Sequence, residues 1–257
     1  MSASNPRLDA DFLRLPIAHR ALHGRGLPEN SRGAMRAAVA AGYGIEIDVQ
    51  GTADGQAVVF HDDDLDRLTG ATGPVRARTA HDLATLRLTG CDETIPDLAE
   101  VLALVAGRVP LLIEIKDQTG LMGPTDGALE AAVAGALAGY AGPVAVMSFN
   151  PGAVAAMARL APGVARGLTT AAYDPADWHP LSPEVCDRLR GIPDYDAVGA
   201  SFISHEARDL ARPRVADLRA QGAAVMAWTI RSEAAEAAAR TIAQNVTFEG
   251  YPARIPA

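Results

Sequence analysis

The feature that most limits the fold of this chain is an alternation. Short apolar runs alternate with alanine-rich stretches of helical period along almost its whole length. Strands are expected at 15–20, 44–49, 57–61, 109–116, 143–149, 163–169, 196–202, 223–230 and 245–250. Helices are expected at 29–42, 96–107, 126–140, 151–162, 183–191, 207–222 and 232–244. The first has Asn30 or Ser31 as its N-cap and Gly42 as its stop. Repeated βα units imply a parallel sheet with helices outside it. About eight such units in 257 residues is the size of a (β/α)8 barrel, so the expected fold is a single α/β TIM-barrel domain over residues 1–257. The run at 57–61 is an extra, hairpin-like strand. Polar residues around it mark a short insertion after the second strand, at about 51–96. A doubly wound sheet is the second choice, but no G-x-G-x-x-G opens the first helix.

Composition removes some partners. The chain is 49% hydrophobic, ample for a core, and its formal net charge is −8. That balance argues against a nucleic-acid partner or stable association with an anionic membrane, which favour a basic face. A locally positive site for a small anionic substrate stays open. The two cysteines, Cys91 and Cys186, have no metal-type spacing and do not suggest a disulfide framework. The N-terminal residues show no basic start and no apolar core of a signal peptide, and no apolar run approaches a membrane span. A cytoplasmic protein is expected; the oligomeric state is open.

In a barrel, functional groups gather at the C-terminal ends of the strands. Several apolar strands here end in ionisable residues: His19 and Arg20, then Glu46 and Asp48, then His61, then Glu114 and Lys116. Trp228 lies near the end of a later one. Glu46 and Asp48 are two apart and share a strand face, which is costly for like charges unless a cation joins them. Each piece alone has a plainer reading. An E-x-D pair can form a salt bridge, Glu114 and Lys116 can pair with each other, and either histidine can be structural. Together, three converging carboxylates suit a hard cation such as Mg²⁺ or Ca²⁺. Arg20 and Lys116 suit phosphate oxygens, and His19 and His61 suit proton transfer. Because His19 and Arg20 are adjacent, both reach one site only if the strand stops there. His23, His81, His179 and His205 are expected at the surface or in loops.

At this point the chain resembles the glycerophosphodiester phosphodiesterase family. The resemblance is carried by "HR" at 19–20, "PENS" at 28–31, "EIDV" at 46–49, "TADG" at 52–55, "VFHDD" at 59–63, "IPDL" at 95–98 and "EIK" at 114–116, with "SFN" and "AWTI" later. It implies a TIM barrel, a divalent cation and a small glycerophosphodiester substrate. It implies His19 and His61 as the acid–base pair and Glu46, Asp48 and Glu114 as metal ligands. Arg20 and Lys116 would contact phosphate, while Phe149 and Trp228 would line the pocket for the alcohol or glycerol part. Glu29 and Asn30 match the P-E-N segment. Three positions depart from the pattern. Ala21 stands where the family has glycine, Ser31 where it has threonine, and "TFEGYP" replaces T-D-x-P, putting Glu249 near the expected acid. Rival readings are a phospholipase D-like or cyclising enzyme on the same barrel, or a binding protein without catalysis.

Overall fold

The structure is a computed structural model and describes residues 6–256. Its strands are β1 (Ile17–Ala18), β2 (Gly44–Gly51), β3 (Ala57–Val59), β4 (Leu111–Ile115), β5 (Val144–Ser148), β6 (Ala165–Thr170), β7 (Phe202–Glu206), β8 (Ala224–Ile230) and β9 (Asn245–Phe248). Its α-helices are α1 (Asp11–Arg14), α2 (Arg32–Ala41), α3 (Ala80–Leu83), α4 (Leu98–Val105), α5 (Ala128–Leu137), α6 (Pro151–Leu160), α7 (Pro183–Arg190), α8 (Pro213–Ala220) and α9 (Glu233–Ala239). Every strand but β3 runs parallel to its neighbours. The sheet closes because β1 pairs with β2 on one side and with β9 on the other. The fold is therefore the expected TIM barrel, with β3 as an antiparallel ribbon on β2.

The caps are those the sequence spells. Ser31 accepts from the Ala34 amide and Gly42 turns left-handed at φ 77° to end α2. Asp97 and Glu100 form a capping box on α4. Strand alternation then sorts the two faces of the sheet. Ile45, Ile47 and Val49 point outward into the layer containing Met35 and Val101. Ile17, Leu112, Ala145, Phe202 and Met226 fill the barrel interior. Phe12 of α1 packs among them, and Asn245 holds that segment by donating to the Phe12 and Leu15 carbonyls at 2.7 and 2.6 Å. This plug had no periodic signal in the sequence.

Phe202 crosses the interior over Gly167. A Cβ on Gly167 would lie 2.3 Å from the Phe202 ring. Gly167→Ala is expected to destabilise the fold by about 1–3 kcal/mol through overpacking. Urea denaturation measures this, and a change below about 0.5 kcal/mol would contradict the packing argument.

Two expectations need correction. The strand expected at 196–202 lies later, at β7. Residues 194–200 form turns instead, with the Val198 amide on the Asp194 carbonyl and the Ala200 amide on Tyr195. Their apolar side chains, Val198 and Ala200, are buried all the same, which imitates a strand. The true strand reads "FISHE" and hides behind its polar letters. His205 is accordingly not a surface residue: it is fully buried and pairs with Thr170 Oγ1 at 2.7 Å. Burial first, against the opposing pull of Asp209, holds its pKa below the usual imidazole value. Elsewhere in the chain, α3 is a single helical turn capped by Thr79. It belongs to the inserted segment, which has its own small core of Phe60, Leu65, Val75, Leu83 and Ile95. Among the described residues no helix is long and apolar enough to cross a membrane.

Candidate active site

The register of β2 and β4 builds the centre of the site. Asp48 lies beside Glu114 across the ladder, and Glu46 sits one pleat lower on the same inward face. All three carboxylates are buried, and oxygens from each lie within 4.8 Å of one another. β1 does stop early, at Ala18. Arg20 and Ala21 then take left-handed φ values of 51° and 64°. That kink brings the Arg20 amide to Glu46 Oε2 at 2.8 Å and lets both His19 and Arg20 face the cavity. An L-residue in this conformation costs about 1 kcal/mol, which explains why a glycine suits position 21; here alanine bears the strain.

The next neighbours hold the acids in place. Asn30, itself at φ 57°, donates to Asp48 Oδ2 at 2.9 Å. Arg20 bonds Glu29 at 2.9 Å and approaches Asp48 at 3.6 Å. Lys116 Nζ lies 2.7 Å from Asp48 and 2.6 Å from Glu114. Burial alone would push Asp48 up, but Lys116, His61 and Arg20 together hold it well below the carboxylate range. Glu46 goes the other way. Burial first, then repulsion by Asp48 and Glu114, raises its pKa well above 4.5, with only a backbone amide and the more distant Lys116 opposing. With Glu46 ionised as well, the three acids would carry more negative charge than Lys116 and Arg20 offset, and a buried all-oxygen set of this size fits a hard divalent cation.

Two histidines flank this centre, each backed by a carboxylate. His19 Nδ1 lies 2.6 Å from Glu249 Oε2, and His61 Nδ1 lies 2.7 Å from Asp62 Oδ1. The hydrogen bond from His19, with His23 close by, holds Glu249 far below its usual pKa, and Arg231 bonds it at 2.7 Å. Burial acts to raise Asp62, but Arg67 and His61 bring it down to about 2. Burial and Lys116 lower His61 itself. With its Nδ1 held by a carboxylate, each ring presents Nε2 for proton transfer. These carboxylates also answer to Arg231 and Arg67, so the two histidine groups are less suited to a cation than the central three acids.

A cavity of about 60 Å³ joins the parts, lined by His19, Arg20, His61, Lys116, the three acids, Phe149, Trp228 and Thr169. Phe149 meets Trp228 edge-on, with ring centroids 5.5 Å apart, and the Trp228 Nε1–H is anchored on the Ser204 carbonyl at 2.9 Å. Every site residue expected from sequence is therefore gathered at one end of the barrel. Sequence reasoning missed Arg67, Arg231 and Trp178. His23, expected as a plain loop residue, comes within 3.6 Å of Glu249. Arginines in loops carry no spacing signal, and only the fold brings Arg67 to both Glu29 and Asp62.

The chain is similar to known proteins over most of its length. A glycerophosphodiester phosphodiesterase of Caldanaerobacter subterraneus is 37% identical over 117 residues; that stretch spans 42% of this chain and 46% of the relative, under half of its length. YhdW of Bacillus subtilis is 28% identical over 245 residues, covering 92% of this chain and 94% of that protein. Among solved structures, a phosphodiesterase of Oleispira antarctica in complex with its product sn-glycerol-3-phosphate matches with a TM-score of 0.74 at 27% identity, covering 93% of this chain and 94% of the other. A glycerophosphodiester phosphodiesterase of Agrobacterium tumefaciens matches with a TM-score of 0.64 at 26% identity, covering 90% and 94%. The model of the glycerophosphoryl diester phosphodiesterase family matches residues 19–247, from the first histidine of the site to the last barrel strand, and the chain belongs to that family.

Proposed function

We propose that the chain hydrolyses glycerophosphodiesters, such as glycerophosphocholine and glycerophosphoethanolamine, to glycerol 3-phosphate and an alcohol. One observation carries the reading: two carboxylate-backed imidazoles stand on either side of a cavity floored by three acids and two basic side chains. Glu46, Asp48 and Glu114 would hold a divalent cation, Mg²⁺ or Ca²⁺. When bound, it supplies charge for a phosphate oxygen and lowers the pKa of a hydroxyl or water. Arg20 offers a planar fork to phosphate, and Lys116 offers a point charge. One of His19 and His61 takes the proton of the attacking hydroxyl, from water or from the neighbouring glycerol hydroxyl. The other gives a proton to the departing alcohol. Glu249 and Asp62 keep the rings turned for this exchange. The product complex of the Oleispira relative supports glycerol 3-phosphate as the retained part.

A reading on intact lipid lacks an apolar rim. Among the described residues the large exposed apolar side chains are Leu121 and Leu160 alone, too few for a membrane-facing patch. The test is release of glycerol 3-phosphate from glycerophosphocholine, coupled to its dehydrogenase. Release at a rate proportional to enzyme is expected. No release from any of several head groups would overturn the reading.

A further inference from the structure

One guanidinium stands between the two halves of the site. Arg67 sits in the segment just after His61, on a turn with a firm footing. Leu65 anchors that turn in the small core of the insertion. Thr69 closes it, with its amide and its hydroxyl on the Leu65 carbonyl at 3.0 and 2.9 Å. From there the Arg67 side chain forks onto two carboxylates. It bonds Glu29 through Nη1 and Nη2 at 3.0 and 2.7 Å, and Asp62 through Nε and Nη2 at 2.6 and 2.8 Å.

Each carboxylate has a second partner inside the site. Glu29 also accepts from Arg20 at 2.9 Å, and Asp62 holds His61 Nδ1 at 2.7 Å. The bonds therefore run without a break from Arg20 through Glu29, Arg67 and Asp62 to His61. Oxygens of Glu29 and Asp62 come within 4.8 Å of one another. Like charges at that distance repel, and Arg67 is the cation that joins them. Burial opposes the ionisation of Glu29, yet Arg67 and then Arg20 hold its pKa below the usual value. Without Arg67 the two carboxylates would turn apart, taking Arg20 and His61 out of line. A half-exposed ion pair adds little to stability as a rule. Two paired contacts made by one planar group fix direction instead, which a lysine ammonium cannot reproduce.

We propose that Arg67 is a positioning residue that sets the phosphate-binding arm, Arg20, and the proton-transfer arm, His61, in one common geometry, acting through Glu29 on the first and through Asp62 on the second. The proposal rests on the diesterase reading for what the two arms do. It also gives the inserted segment a task in the reaction, since the turn that carries Arg67 is built on that segment's own core.

Steady-state kinetics on glycerophosphocholine separate the arms. Arg67→Met is expected to lower kcat by at least about tenfold and to raise KM by at least about threefold. Glu29→Gln should move mainly KM, and Asp62→Asn mainly kcat. In a His61→Ala background, Arg67→Met should still raise KM but lower kcat little further. Arg67→Lys should restore the parent's melting temperature without restoring kcat. Arg67→Ala should regain turnover in millimolar guanidinium, which has a way in because the Arg67 side chain is 48% exposed, and not in equal sodium chloride. A purely structural arginine would lower the melting temperature and the active fraction and leave KM alone. A second measurement needs no turnover. In spectra of ¹⁵N-histidine-labelled protein above the imidazole pKa, His61 should be a single tautomer with its proton on Nδ1, and a mixture of both in Arg67→Met. Parent-like kcat and KM in Arg67→Met, a full further loss of kcat on top of His61→Ala, or an unchanged His61 signal would overturn the proposal. A His61 signal that answers to Arg67 in a protein that hydrolyses no diester would support the positioning role and sink the diesterase reading instead.

Discussion

His19→Ala and His61→Ala are each expected to lower turnover of a glycerophosphodiester by at least about 10²-fold, roughly 2.7 kcal/mol in barrier height. Each ring contacts a carboxylate on one side and the cavity on the other, so each is placed to move a proton and poorly replaced by water. The two act on one bond-breaking event. The double variant should therefore lie near the worse single one rather than at the product of both losses. Glu249→Gln keeps an acceptor for His19 but removes the carboxylate charge behind the ring, so a smaller loss of about tenfold is expected. All four variants should retain the parent's cooperative thermal transition, since both rings lie near the surface of the site, with side chains 15% and 29% exposed. Near-parent turnover in either single histidine variant would refute the pairing.

Much of this site was legible because strand alternation and barrel topology are simple rules. The i, i+2 spacing of Glu46 and Asp48, and of Glu114 and Lys116, is visible in the letters, and parallel register brings the two strands into line. The stop of β1 after Ala18 was deducible as a requirement, since neighbours His19 and Arg20 could not otherwise share a cavity. What stayed hidden depends on long-range packing. "FISHE" lost to the neighbouring apolar letters of 196–202 because burial within a turn imitates burial within a strand. His205 looks like a surface residue until Thr170 is placed beside it. Phe12 plugs the barrel from a helix one turn long. Trp178 sits in a loop without period, and only the fold brings its ring onto Phe149.

Removing divalent cations with EDTA is expected to abolish turnover, and Glu46→Gln should show why. Without a cation the raised pKa of Glu46 means that the folded chain keeps a proton which the unfolded chain has released. The sign follows from linkage: where the native state binds more protons, stability falls as pH rises. In EDTA the parent should therefore lose stability as pH climbs above the ordinary glutamate value of 4.5, until Glu46 ionises in the folded state as well. Glu46→Gln mimics the neutral form and still offers an oxygen to the Arg20 amide, now 2.8 Å from Glu46. It should lack that part of the pH slope and melt no lower than the parent in EDTA at pH 8. With saturating Mg²⁺ or Ca²⁺ the order reverses. A cation at about 100 times its Kd stabilises the parent by about 2.7 kcal/mol, or roughly 5–10 °C in Tm for a chain of this size. Glu46→Gln should gain little of that and recover little turnover. Thermal melts across pH, with and without cation, separate the two states independently of activity. A parent whose melting is indifferent to both Mg²⁺ and Ca²⁺, with undiminished turnover in EDTA, would mean that Lys116 and Arg20 alone balance the three acids.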